Sequence, residues 1–297
     1  MPEYSPDPAV QRRRLRSELR KAREAAGKTQ KAVAEEMDWS PSKLIRIETG
    51  LVNISTNDLR ALLQSYDVSA DRIPGLIETA KAAREQTPWN AYRGVASPEL
   101  IAFLGYESSA SIIRYFEPVL VPGLLQTEEY ARVVISTILE QPPESQDVND
   151  LVELRVDRQE RVLHGGSPPE CHFLLDEPVI LRAVGGKDVM RRQLRHLREQ
   201  MEQSNITVRV VPLSYGLYEH VRVPYTLLEF PDPADEDVLY LEDAVDELIV
   251  RENSLDETTK ITPITPAHYL QHFWEFEQEI DKASAPAAIE RAIALFE

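Results

Sequence analysis

Cysteine occurs once in the 297 residues, at Cys171, so no disulfide can form within the chain. That usage fits a reducing compartment. Long apolar runs are missing too. The longest, around Val119 to Leu125, is short and holds Pro122, whereas a membrane-crossing helix needs roughly 20 apolar residues. The opening Met-Pro-Glu-Tyr-Ser-Pro-Asp-Pro has no cationic stretch followed by an apolar one, so it does not read as an export signal. Repeats of fixed period are absent. Positive charge is in deficit: 33 Lys and Arg stand against 50 Asp and Glu, a net charge of −17. What is present, 42% hydrophobic and 28% charged residues, is the composition of a globular, cytoplasmic protein with no membrane partner. The length favours two domains.

The deficit is uneven along the chain. Residues 10–60 hold 12 Lys/Arg against 7 Asp/Glu, a charge of +5, while residues 73–297 hold 20 against 39, a charge of −19. Arg12, Arg13, Arg14, Arg16, Arg20, Lys21 and Arg23 crowd the start of the positive part. A basic head on an acidic body is the footprint of a nucleic-acid-binding module carried by a second domain.

Residues 29–50 explain what the basic head would do. Thr29 is an N-cap for a short helix over Gln30 to Met37, with Val33 and Met37 one turn apart on its inner face. Ala34 is small enough to let a second helix approach. Asp38 and Trp39 make a tight connection. Ser40 caps the next helix and Pro41 takes its first position, where a missing N–H costs nothing. Leu44 and Ile47 face inward, Ser42, Lys43 and Arg46 face outward, and Thr49-Gly50 stops the helix.

The segment resembles the XRE (Cro/repressor-like) helix-turn-helix family. The likeness covers roughly residues 10–70, including Leu15, Leu19, Ala22 and Arg23 before the motif and Ser55-Thr56, Leu59, Leu62, Leu63 and Tyr66 after it. Asp38 departs from the glycine usual in the turn, a change that Asp tolerates in left-handed backbone. The resemblance implies a partly buried Arg23–Glu48 ion pair and a partner in double-stranded DNA. By the motif's geometry the second helix enters the major groove. Ser42 and Arg46 are then expected at base edges, and Gln30, Ser40 and Lys43 at phosphates. Lys31 and the Arg12–Arg14 cluster are further phosphate candidates. The alternative for Arg46 is an ion pair with Glu35.

Beyond the head, Ile73–Arg84 reads as a fifth helix, broken by Gln86-Thr87-Pro88-Trp89. The expected division is an all-α five-helix domain over 10–85, a linker over 86–97 and a mixed α/β domain over 98–297. In the body, helices are expected from Pro98, from Thr127 to about Leu139, and over Asp150–Leu163, Lys187–Gln203, His268–Lys282 and Pro286–Phe296. Ser111–Val121 alternates poorly and is assigned to a strand. Cys171–Asp176 and Ile206–Val211 flank a helix as a βαβ unit with parallel strands. Tyr225–Phe230, Val238–Leu241 and Glu247–Arg251 are further short strands.

The body also carries a resemblance. The run Glu117 to Arg132 (EPVLVPGLLQTEEYAR) is similar to a signature of the uncharacterised C-terminal domain of actinobacterial antitoxin-like regulators. Arg158-Gln159-Glu160-Arg161, Leu175-Asp176-Glu177-Pro178, Gln193-Leu194 with Leu197, and Val210-Val211-Pro212-Leu213 follow there in the same order. The likeness implies a transcriptional regulator often encoded beside a small partner protein. It supplies neither a ligand nor a catalytic residue.

Other chemistry reads weakly. His268 and His272 have one metal-ligand spacing, i and i+4, but no third ligand is evident, so they read as surface or packing residues and no metal or cofactor is expected. Cys171 and His172 point to opposite faces of a strand, which defeats a nucleophile–base pair. Val184-Gly185-Gly186-Lys187-Asp188 lacks the phosphate-loop spacing and reads as a helix-start turn. Asp176-Glu177 and Asp235-Glu236-Asp237 read as solvated turns, and Tyr215, Tyr218, Tyr225 and Tyr240 as packing residues that could alternatively line a pocket. No catalytic constellation is found, so an enzyme is not expected.

The main expectation is a sequence-specific DNA-binding regulator. Its acidic body would form a homodimer, through apolar strands and a terminal helix with Ile289, Ile293, Leu295 and Phe296, and would receive a partner-protein or small-molecule signal, the small protein being favoured. The alternative is an antitoxin-like protein that sequesters a small partner and binds DNA for autoregulation.

Overall fold

Caps and hydrophobic spacing set the elements in the computed structural model, which describes residues 7–49, 52–232, 235–242, 247–251 and 264–297. The chain divides into two compact units, Met1–Asn90 and Ala91–Glu297. No helix among the described residues is long and apolar enough to cross a membrane.

The first unit is helical: α1 (Pro8–Ala25), α2 (Gln30–Glu36), α3 (Pro41–Thr49), α4 (Thr56–Ser65) and α5 (Ile73–Ala82). Thr29 Oγ1 accepts the Ala32 N–H and Ser55 Oγ the Asp58 N–H, each satisfying a donor that a helix start leaves unpaired. Three of these helices end alike, on a left-handed residue: Gly27, Asp38 and Asp67 at φ 65°, 54° and 55°. At Asp38 the Trp39 N–H reaches Ala34 O at 2.8 Å and the Asp38 N–H reaches Glu35 O at 3.2 Å, closing a Schellman motif without glycine. Leu15, Leu19, Val33, Leu44, Ile47, Leu59, Leu62, Leu63 and Ile77 meet in one core. Gly50, assigned to the stop of α3, lies outside the described residues. Where a linker was expected, Pro88–Tyr92 forms a 3₁₀ turn with Trp89 buried, because an indole of that size is stabilised by leaving water.

The second unit holds a six-stranded mixed sheet: β1 (Ile112–Glu117), β2 (Glu170–Asp176), β3 (Ile206–Val211), β4 (Tyr225–Glu229), β5 (Val238–Glu242) and β6 (Glu247–Arg251), in the order β3-β2-β1-β4-β5-β6. β1 pairs parallel with β2, and β2 with β3, whereas β4, β5 and β6 continue antiparallel. The helices are α6 (Pro98–Glu107), α7 (Glu128–Leu139), α8 (Gln146–Leu163), α9 (Glu177–Leu181), α10 (Lys187–Gln200), α11 (Pro266–Glu279) and α12 (Ser284–Leu295). α8 begins four residues before the expected Asp150, because Val148 packs with Ala131, Ile135 and Val152 of the α7–α8 pair. The α10 crossover and the parallel β2–β3 pair match the βαβ expectation.

α11 covers one face of the sheet, where Phe116, Leu174, Tyr225, Leu227 and Leu239 meet Tyr269, Phe273 and Phe276. Central position explains why β1 alternates poorly. Residues 113–116 are all buried, Arg114 included, since strands covered on both faces have no solvent side to keep polar. α12 corrects an expectation. Ile289, Ile293 and Phe296 are buried in this unit's own core, with α12 packed on α10 and β3, and only Leu295 points outward. Those three side chains are therefore not available to a second copy.

Candidate nucleic-acid interface and body cleft

The outer face of α3 begins at Ser42 and runs through Ile45, Arg46 and Thr49, all exposed, while Leu44 and Ile47 root the helix in the core. Ser40 Oγ accepts the Lys43 N–H at 3.3 Å, so the Ser40 side chain caps α3. Lys43 lies 3.8 Å from the Trp39 ring centre and 3.1 Å from Asp58 Oδ2. Both contacts are at the surface, where such pairs are worth roughly 0–1 kcal/mol, small enough for a phosphate to displace. Arg46 has no hydrogen-bond or ion-pair partner among the described residues, and the alternative pair with Glu35 does not form there. Lys31 is exposed on α2.

Much of the basic charge is used inside the head. Arg23 grips Glu48 in a bidentate pair, Nε–Oε1 2.7 Å and Nη2–Oε2 3.2 Å, and donates to Lys28 O at 3.0 Å. This is the pair implied by the family likeness. Gln30, expected at a phosphate, gives its side-chain NH₂ to Glu48 Oε2 at 2.7 Å instead. A carboxylate buried at the junction of three helices needs donors, and Gln30 is within reach. Arg12 donates to Ala83 O at 3.2 Å and Arg13 is buried, so the Arg12–Arg14 stretch is not an open basic comb. Arg16 donates to Thr49 O at 2.6 Å, satisfying a carbonyl at the end of α3.

In the body, a cleft of about 690 Å³ opens between β1, β4, β5 and α6–α8. Apolar walls come from Leu100, Phe103, Val119, Val121, Val134 and Ile138, and polar groups converge from Glu117, Arg155, Arg158, Arg222 and Glu242. Arg158 is neutralised by Glu107 at 2.7 and 2.8 Å, with Tyr115 Oη bonded to both. Among the described residues Arg155 has no such carboxylate in contact and donates to the Gln126 amide oxygen at 2.6 Å. Burial, then the like charge of Arg158, brings its pKa down to about 10. Burial and then the Glu242 carboxylate push Glu117 well above the usual carboxylate range, outweighing Arg155 and Arg158. Gly123 makes room for this arrangement: a Cβ there would stand 2.9 Å from Arg155 Nη1 and 3.0 Å from Arg158 Nη1.

Tyr225 and Tyr240 line the cleft and are also core residues, so both readings of these aromatics hold. The Val184–Asp188 segment is a helix-start turn, with Gly185 and Gly186 at positive φ before α10. Cys171 and His172 diverge as strand alternation requires. Cys171 is buried with its thiol pushed up to about 12 by burial, and His172 Nδ1 meets Glu277 Oε1 at 2.6 Å. Asp176 caps α9. Asp235 is buried, contrary to the solvated turn expected there. The His268–His272 pair has company after all: Glu219 and His220, carried by the loop before β4, bring their ligand atoms within 4.8 Å of both. That meeting joins residues about fifty apart in the chain and had no signal in local spacing.

Residues 14–75 match the family model described as a helix-turn-helix domain, and residues 100–262 match the one described as a domain of unknown function (DUF5753). The helix-turn-helix match supports DNA as a partner without specifying the XRE family. No curated protein and no solved structure gives a significant match.

Proposed function

The chain belongs to the family of the domain of unknown function DUF5753, and we propose that it is a non-enzymatic, sequence-specific transcriptional regulator whose body receives a small-molecule signal. The observation that carries DNA reading is the outward face of α3, with Ser42 and Arg46, the latter without a side-chain partner among the described residues, early on a helix anchored by Leu44 and Ile47. Arg46 binds guanine from the major groove, worth about 1–3 kcal/mol of discrimination. Lys43, Lys31 and the backbone around Ser40 and Gln30 hold phosphates. A single helix reads few base pairs, so two copies bind half-sites about 34 Å apart.

The cleft favours a small molecule over a protein signal, because it is concave, mostly apolar and fitted with a few convergent polar groups. Arg155, with no carboxylate in hydrogen-bond contact among the described residues, suits an amphipathic ligand with one anionic group. The acidic balance of residues 73–297 keeps the body off the duplex and leaves phosphate to the head.

Genome-wide mapping of bound DNA, with native mass spectrometry of the purified chain, tests both halves. Arg46→Ala should lose discrimination at the mapped site. Lys43→Ala should weaken all sequences alike and reduce the salt slope by about 1. Unchanged binding by Arg46→Ala refutes the base-reading role. A copurifying small basic protein with no bound small molecule would replace the ligand reading by the antitoxin-like one.

A further inference from the structure

α11 presents His268 and His272 one turn apart, on the side facing the loop between β3 and β4. Thr265 caps that end of the helix by accepting the His268 N–H, which fixes the first turn carrying both rings. The loop supplies Glu219 and His220. His220 stands at φ 61°, a left-handed conformation that residues with a Cβ adopt at a cost and that persists where the surroundings enforce it. Here the enforcing contact is a stack of its ring on Tyr269, centroids 3.9 Å apart. The three imidazoles converge, with centroid separations of 5.4 Å (His220–His268), 5.1 Å (His220–His272) and 4.6 Å (His268–His272).

Ordinary packing leaves two facts unexplained. The Nε2 atoms of His220 and His268 are both buried and neither has a hydrogen-bond partner among the described residues, an arrangement that folded proteins avoid. A carboxylate oxygen, Glu219 Oε2, also sits at the same point, 2.8 Å from His272 Nε2 and 4.0 Å from His268 Nε2. The other nitrogen of His272, Nδ1, lies 3.3 Å from Glu275 Oε2, the carboxylate support that metal-bound histidines commonly have.

We propose that Glu219, His220, His268 and His272 bind one divalent ion of the zinc class and thereby tie the loop before β4 to α11. Three imidazoles and one carboxylate are a borderline donor set that suits Zn²⁺ and excludes Ca²⁺ and Mg²⁺, which require oxygen. Tetrahedral bonds of about 2.0–2.1 Å place ligand atoms roughly 3.3 Å apart. The four atoms here already lie within 4.8 Å of one another, so modest side-chain rotation closes the site. The ion satisfies both orphaned nitrogens at once. The site also lies next to the cleft along the chain, since Arg222, Val223 and Pro224, two to four residues after His220, line it.

The test uses the untagged full-length chain, stripped with chelator and titrated with Zn²⁺ against a chromophoric indicator, and with Co²⁺ for its visible spectrum. Expected are one ion per chain, tetrahedral Co²⁺ bands and a metal-dependent rise in Tm. His268→Gln, and His220→Asn chosen because Asn accepts left-handed backbone, should weaken binding roughly 100-fold or more. His164→Ala, on an exposed residue outside the cluster, should bind as the unaltered chain does. Absence of stoichiometric binding by the unaltered chain overturns the proposal, as does equal affinity in His268→Gln. Should a variant fail to fold, the Co²⁺ spectrum of the unaltered chain decides: bands without imidazole and carboxylate ligation refute the assignment.

Discussion

Replacing Arg23 by Met isolates the contact on which the head most depends. Arg23 and Glu48 have side chains only 11% and 4% exposed, and their two hydrogen bonds join α1 to the end of α3. Methionine keeps the packing of the stem and removes the charge. Glu48 is then left buried with the Gln30 amide as its remaining side-chain donor among the described residues, and Lys28 O loses its partner. Stranding one member of a buried pair costs about 3–5 kcal/mol. A domain of this size has a stability of about 5–13 kcal/mol at typical values per residue, so the loss is a large fraction of the whole. In a small domain each kcal/mol moves Tm by about 4–8 °C, which predicts a drop on the order of 20 °C for the head. Hydrogen exchange of the full-length chain in rising urea, followed in peptides from α2 and α3, reports the head alone. Arg46→Met, on an exposed residue, should stay within about 0.5 kcal/mol of the unaltered chain. Arg23→Met with Glu48→Met should recover most of the loss, because removing both charges leaves none stranded. Equal protection in Arg23→Met and Arg46→Met would refute the reasoning.

The body should lose stability in acid through Glu277. Burial pushes this carboxyl up, but the hydrogen bond and charge of His172 with the charges of Arg114 and Arg209 outweigh it, so its folded pKa lies below the ordinary carboxylate value. Glu229 shares Arg114 from the β4 side. A carboxylate depressed on folding stabilises above its unfolded pKa of about 4.3, and that stability disappears as pH falls through the folded value. Tm measured across this window should therefore fall more steeply for the unaltered chain than for Glu277→Gln. Cys171, 1% exposed and raised to about 12, should resist a thiol reagent in the folded chain and titrate as one thiol in denaturant; rapid native labelling would contradict its burial. Phe273→Ala, which empties the centre of the α11–sheet core, should cost about 3–5 kcal/mol in urea unfolding.

Local physics wrote much of this architecture into the sequence. The caps at Thr29, Ser55, Thr127 and Thr265 are each a side-chain oxygen accepting an N–H three residues on, a relation contained in four consecutive residues. The left-handed turn at Asp38 and the helical spacing of Leu44 and Ile47 are equally local, so the helix-turn-helix and its outward face at Ser42 and Arg46 were legible. So was the βαβ unit, whose two strands differ from the helix between them in hydrophobic period. Tertiary structure decided which charges stay free. Nothing near Gln30 or Arg12 in sequence says that Glu48 and Ala83 will occupy them, because those partners arrive only when α2 packs on α3 and α1 on α5. It also decided that Ile289, Ile293 and Phe296 face this unit's own sheet and helices, since an apolar stripe is the same whether its cover comes from within the chain or from another copy. The cleft and the histidine cluster belong to the same class. Their side chains come from segments tens to more than a hundred residues apart, and only the closed sheet with its helices brings those segments within the few ångströms at which hydrogen bonds and metal ligands act.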